Sequence, residues 1–198
     1  MDRRASVIVS LLVVGVLALA GCTSPAEPTP SPSVTPVVTS ATPSPTPTVT
    51  FEERMLAQIP EEAKGDDLLA AVEMAKFFIQ LHPGLYQGGD REMFEWLSLP
   101  ECEFCSSSLE VTEERLAEGI VQVGGDFTIP EQVEGSVIDP ETDNTTTALI
   151  RFRVEEASFV YHDSAGTVTH EDEGGTYEFS FALRYVNGLW RVLGVGYT

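Results

Sequence analysis

Between Gly175 and Tyr197 the chain alternates so regularly that it has to be read as paired strands. Tyr177, Phe179, Phe181, Leu183 and Tyr185 fall on one side, with Glu178, Ser180, Ala182 and Arg184 on the other. Successive side chains of a strand point to opposite faces, so this spelling gives one apolar face and one mostly polar face. Asn187-Gly188 then separates the run from a second one, Leu189 to Tyr197. Both turn positions tolerate positive φ, as a two-residue type I′ turn requires, so a tight hairpin is expected. Ala148, Ile150, Phe152 and Val154 alternate with Leu149, Arg151 and Arg153 in the same manner. Three such segments demand an antiparallel sheet and something apolar to cover it.

The cover is written upstream. Asp66 or Asp67 can cap a helix running to His82, with Leu68, Val72, Ala75 and Phe78 or Ile79 on one stripe and Pro83-Gly84 as its stop. A short helix is expected before it, over 52–58. Asp90 caps a second helix carrying Met93, Phe94, Trp96 and Leu97, and Pro100 breaks it. One of Ser106, Ser107 or Ser108 caps a third through Glu118, which Gly119 ends. The remaining strands are expected over 119–123, 127–137, 145–159 (with a break near Glu156), 160–163 and 167–171, with a turn at 163–166. Helices first and an antiparallel meander after them predict an α+β domain over 51–198, with the helices on one face of the sheet.

The beginning of the chain is of another kind. Asp2, Arg3 and Arg4 precede an apolar stretch from Val7 to Ala20, which closes on Leu19-Ala20-Gly21-Cys22. That stretch has the length of a signal-peptide core and is short for a bilayer span. The small residues before Cys22 resemble a bacterial lipobox. The resemblance implies a signal peptide over 1–21, a diacylglyceryl group on the Cys22 thiol and cleavage before it. Two acyl chains hold where one holds only marginally, since burial gives roughly 0.8 kcal/mol per CH₂. From Thr23 to Thr50, 28 residues include eight prolines and thirteen Ser or Thr. Such composition cannot bury a core, so 22–50 is expected to be a disordered, lipid-anchored linker. Fully extended, it would reach about 85 Å.

Charge removes one function class. The chain has 11 basic and 31 acidic residues, and loss of the leader leaves 9 and 30. So acidic a surface repels nucleic acid and anionic lipid head groups, and nucleic-acid binding is discarded. The expected place is the outer face of the cytoplasmic membrane, at the cell surface.

Cys102-Glu103-Phe104-Cys105 is the one pair with chemical content in the domain. With Cys22 taken by lipid, Cys102 and Cys105 are each other's partners. Exported cysteines oxidise, and an offset of three in a turn brings their Cα atoms within disulfide range. A local staple is the expected reading. Thiol-disulfide exchange is the alternative, opposed by Glu101 and Glu103, which raise thiol pKa values. Zinc would want four ligands.

Asp139 to Asn144 carries alternating oxygens but lacks the glycine and final glutamate of an EF-hand, and 170–175 reads as a solvated acidic hairpin loop. His82, His162 and His170 show no metal or nucleophile spacing. His82 is expected beside a helix end, where its charge favours the dipole. No metal site, cofactor or catalytic residue is implied.

The helix, the Gly89-Asp90 turn, the short second helix and the final hairpin Leu183-Arg184-Tyr185-Val186-Asn187-Gly188-Leu189-Trp190-Arg191-Val192 together resemble the cone-shaped fold of the nuclear-transport-factor-2-like superfamily. With the lipobox, the linker and Cys102-Cys105, the chain resembles an uncharacterised family of actinobacterial lipoproteins over residues 62–198. The resemblance implies a concave sheet face able to form an apolar pocket. Phe78, Trp96, Phe152, Tyr177, Phe179, Phe181, Tyr185 and Trp190 are its candidate lining, unless they fill the core. Some members of the superfamily are enzymes with an Asp base, but alternation puts no Asp among these aromatics. The expected function is a non-enzymatic surface lipoprotein binding a protein, cell-wall or small apolar partner. An enzyme in the cone pocket and a thiol-disulfide module are the alternatives.

Metabolic labelling with a radioactive fatty acid should mark the wild-type protein and leave Cys22→Ala unlabelled and released from membranes. An unlabelled wild type with equal membrane retention of the variant would remove the anchor.

Overall fold

A computed structural model describes residues 49–129, 132–138 and 146–198. The leader, Cys22, most of the linker and the Asp139–Asn144 segment lie outside the described residues.

Four helices come first: α1 (Phe51–Leu56), α2 (Leu68–Tyr86), α3 (Glu92–Leu97) and α4 (Glu103–Ala117). Eight strands follow: β1 (Val121–Gly124), β2 (Phe127–Thr128), β3 (Val133–Ile138), β4 (Thr147–Glu156), β5 (Phe159–His162), β6 (Val168–Asp172), β7 (Gly175–Val186) and β8 (Leu189–Tyr197). The α+β class is as expected. The strands form two antiparallel sheets, one of order β1-β5-β6 and one of order β2-β4-β7-β8, with β3 also pairing β4. The expected strand over 127–137 is thus two strands along one edge of β4, where Phe127 faces Glu156 and Val133 faces Phe152. The break near Glu156 is real, because β4 ends there and β5 opens the second sheet.

Asp67 caps α2 by accepting a hydrogen bond from the Ala70 amide at 2.8 Å. The helix does not stop at Pro83-Gly84 but runs on to Tyr86. A proline in the final turn deletes one donor only, and the Gln87 amide still reaches the Pro83 carbonyl at 3.3 Å. Helix α4 also departs from expectation. None of Ser106, Ser107 or Ser108 caps it. Cys102 does, its Sγ accepting from the Cys105 amide at 3.2 Å, so the cysteine pair opens the helix. Gly119, at φ +74°, closes it as expected. Residues 170–172 belong to β6, which leaves only Glu173-Gly174 as the loop, against the expected longer acidic turn.

Helix α2 lays Met74, Ala75, Phe78 and Ile79, all fully buried, across the apolar face of the larger sheet. Phe78 stacks on Phe94 of α3 at 4.4 Å, and Phe152 stacks on Phe181 at 5.1 Å. Register accounts for that face: β4 and β7 pair from Thr147↔Arg184 to Glu156↔Gly175, so their apolar residues come up together. Ion pairs such as Arg184–Glu101 at 3.1 Å are exposed, so solvent screens them and they add little to stability. Burial of each large side chain contributes roughly 2 kcal/mol, so the aromatic face holds the layers together. Asn187 (φ 53°) and Gly188 (φ 82°) form the predicted turn between β7 and β8.

Candidate functional site

At the end of the larger sheet where β4 stops, the helices and strands stand apart. The last turn of α2, the first turns of α4 and side chains from β2, β4, β7 and β8 enclose a solvent-open cavity of about 350 Å³. Its lining begins with His82, where the helix was expected to end, and Tyr86, which the unexpected extension of α2 supplies, one helical turn apart on one face. Helix α4 adds Phe104, Ser107, Ser108 and Val111 at the same kind of spacing. The strands add Phe127, Glu156, Tyr177, Phe179 and Tyr197.

Five of these rings close a circuit. His82 stacks on Phe104 at 5.2 Å and on Phe127 at 5.9 Å. Phe127 meets Phe179 at 6.1 Å, Phe179 stacks on Tyr197 at 5.6 Å, and Tyr197 returns to Phe104 at 6.1 Å. The strand register places the last links, since Phe179 sits opposite Tyr197 in the β7–β8 ladder.

His82 Nε2 lies 3.2 Å from Ser108 Oγ, with Tyr86 edge-on at 5.1 Å. Its imidazole is enclosed among rings, and that burial takes its pKa from 6.5 down to about 4. The expected charged histidine at a helix end is therefore a neutral one inside the site. Ser108 and His82 are placed like a nucleophile and a base, but an imidazole this weakly basic accepts a hydroxyl proton poorly. Among the described residues no carboxylate hydrogen-bonds the ring.

Glu156 is the carboxylate of the site. Burial, and then the neighbouring Asp172, push its pKa upward, while the Tyr177 hydroxyl beside it pulls the other way. Burial also raises Tyr177, followed by the charge on Glu156. Gly174 makes this neighbourhood possible. At φ +74° it passes so close to the Glu156 carbonyl that a Cβ would sit 2.2 Å from it. Among the described residues no Lys or Arg lines the cavity. The Arg115 guanidinium lies over Tyr86 at 5.2 Å and over Tyr161 at 4.5 Å, outside the lining.

Of the eight aromatics read from the sequence as candidate lining, Tyr177 and Phe179 reach this cavity. Phe78, Phe152, Phe181 and Trp190 are core. Trp96 carries Arg191 over its ring at 4.8 Å, and Tyr185 packs edge-on against Trp190 at 5.2 Å. The sequence reading missed His82, Tyr86, Phe104, Phe127, Glu156 and Tyr197 as a group. Spacing offered one signal: Phe104, Ser107, Ser108 and Val111 share a helical face once α4 starts before them. Cys102 and Cys105 are disulfide-bonded with Cα atoms 5.2 Å apart, and both are buried. No group of potential metal ligands occurs among the described residues. His162 bonds the Gly166 carbonyl at 3.2 Å, and exposed His170 lies 3.9 Å from Asp172.

His82 makes acid stability a test of the site. The unfolded chain takes its proton near pH 6.5 and the folded chain near 4, so between these values the unfolded state binds more protons. This contribution to stability is intact above pH 6.5 and is lost as pH falls toward 4, by about 2–3 kcal/mol at pH 4.5. Chemical denaturation at pH 7 and pH 4.5 should show His82→Phe losing that much less than wild type. Parallel losses in the two proteins would contradict an enclosed, neutral imidazole.

No curated protein matches the chain. Among solved structures, the intermembrane-space region of the chloroplast protein ARC6 aligns with a TM-score of 0.44 and 20% identity, over 64% of this chain and 95% of that one. The model of a family of unknown function, DUF6318, matches residues 58–196, and the chain belongs to that family.

Proposed function

We propose that the protein is an exported surface lipoprotein, held at the outer face of the cytoplasmic membrane by a diacylglyceryl group on Cys22. In this reading residues 1–21 are the leader, 22–50 the spacer, and 51–198 a binding module of the nuclear-transport-factor-2-like cone type, in the manner of actinobacterial lipoproteins. The module is non-enzymatic and takes a small, largely apolar ligand into the cavity at the end of the sheet. The circuit of five rings around a 350 Å³ hollow carries this reading. Ligand sites are concave, mostly apolar and furnished with a few polar groups, and the volume falls within their usual range of about 300–1,000 Å³.

Chemistry fits less well than binding. The one hydroxyl–imidazole pair has a weakly basic imidazole, and Glu156 has Tyr177 beside it with no nucleophile among its partners. The buried disulfide favours a staple over thiol exchange, because an exchanging disulfide has to be reached by an attacking thiolate. Among the described residues no helix is long and apolar enough to cross a membrane.

N-phenyl-1-naphthylamine, a neutral dye that brightens in apolar surroundings, should bind the exported protein saturably at one site. Ser107 is an exposed residue at the cavity's edge. A Ser107→Trp variant with unchanged thermal stability should lose most of that binding. Absence of saturable binding, or undiminished binding by the variant, would contradict the proposal.

A further inference from the structure

The lining has a charge preference as well as a shape. Every ring of the circuit can offer a π face or edge to the hollow, and among the described residues the only ionisable carboxylate that lines it is Glu156. Asp172 stands next to Glu156 and adds a second negative charge at the same end. The side chain of Asp172 is also fixed, accepting from the Gly174 amide at 2.8 Å, and Gly174 is the residue whose missing Cβ lets this turn touch the Glu156 backbone. The end of β4 thus brings one carboxylate, Glu156, to the aromatic enclosure, while Asp172, at the end of β6, stands behind it and outside the lining.

Among the described residues, opposite charge is missing from the lining. Arg115 is engaged by Tyr161, whose hydroxyl accepts its hydrogen bond, and its guanidinium lies over the Tyr161 and Tyr86 rings and not among the lining residues. His82, with its pKa lowered to about 4 by burial, is neutral at neutral pH and presents no cation. The chain as a whole carries a formal charge of −20. An anionic ligand would meet Glu156 with no counter-charge, whereas an organic cation would meet a carboxylate at one end and ring faces around its apolar part.

From this arrangement we infer that the cavity is selective for a small organic cation, an aryl- or alkylammonium group, held by the aromatic circuit and by Glu156 with Asp172 behind it. The inference rests on the binding function proposed above and names the ligand class for the same site. Enclosure by rings favours a substituted ammonium over a bare metal cation, because methyl groups spread the charge over a surface that the π faces can meet. The Tyr177 hydroxyl beside Glu156 would orient the carboxylate toward the hollow and away from solvent.

Three probes of similar shape separate charge from size. Benzyltrimethylammonium is the cation, neopentylbenzene its neutral carbon counterpart, and phenylacetate an anion on the same ring. Each is used to displace N-phenyl-1-naphthylamine from the full exported protein at fixed ionic strength and neutral pH. The cation should displace the dye at a concentration roughly tenfold or more below the neutral probe, and phenylacetate should not displace it. Glu156→Gln should weaken the cation by about tenfold and leave neopentylbenzene unchanged. Asp172→Asn, at a partly exposed site, should weaken the cation less and in the same direction; it reads the same charge effect if Glu156→Gln folds poorly. Equal or better displacement by neopentylbenzene or phenylacetate would overturn the charge assignment while leaving a binding cavity in place. Failure of the dye itself to bind would overturn the cavity reading as well.

Discussion

Five aromatic rings that stand around a space and do not fall into it are the feature on which this structure turns. His82, Phe104, Phe127, Phe179 and Tyr197 come from five different elements, and each touches two others of the set. Ring pairs at such separations contribute roughly 0.5–1.5 kcal/mol beyond the area they bury. A closed circuit satisfies both sides of every ring, so no member gains by moving inward. The hollow is therefore a product of packing at its rim, and the core behind it is free to be dense.

That core is dense because the two longest strands are in strict register. Phe152, Phe179, Phe181 and Leu183 lie under α2, and the same helix that covers them carries His82 and Tyr86 beyond the sheet's edge. One element thus serves as lid of the core in its middle and wall of the cavity at its end. The extension through Pro83 matters for this reason: had the helix stopped there, Tyr86 would not stand one turn beyond His82. Helix α4 plays the matching part from the other side. Its start is set by the disulfide-bonded Cys102, which places Phe104 and Ser108 in the first two turns, at the cavity. The cysteine staple is in this sense part of the site's scaffold, although neither cysteine lines the cavity.

How much of this could be read in the sequence followed from how local each signal was. The β7–β8 hairpin was legible because alternation and Asn187-Gly188 are complete within some two dozen residues. The cap at Asp67 and the stop at Gly119 were legible for the same reason. Pro83 misled, since a proline in the last helical turn and a proline that ends a helix look alike without the following hydrogen bonds. Ser106 to Ser108 misled because serines suit caps generally, and nothing local says that a cysteine sulfur will accept the bond instead. Of the cavity's lining only Tyr177 and Phe179 were legible. Aromatic residues were assigned to it by type, but burial in the middle of the sheet and exposure at its end depend on where β4 stops, and that is set by long-range pairing. His82 shows the same limit: its neutrality comes from Phe104 and Phe127, which are distant in the chain.

The claim that organises this account is that the circuit holds a space open in solution. Nuclear Overhauser contacts among the aromatic ring protons of the ligand-free protein measure it directly. The account predicts contacts that run around the circuit, His82 to Phe104 and Phe127, Phe127 to Phe179, Phe179 to Tyr197 and Tyr197 to Phe104, with none from His82 across to Tyr197 or Phe179. Strong contacts across the circuit would mean that the rings have closed on one another, and would contradict it.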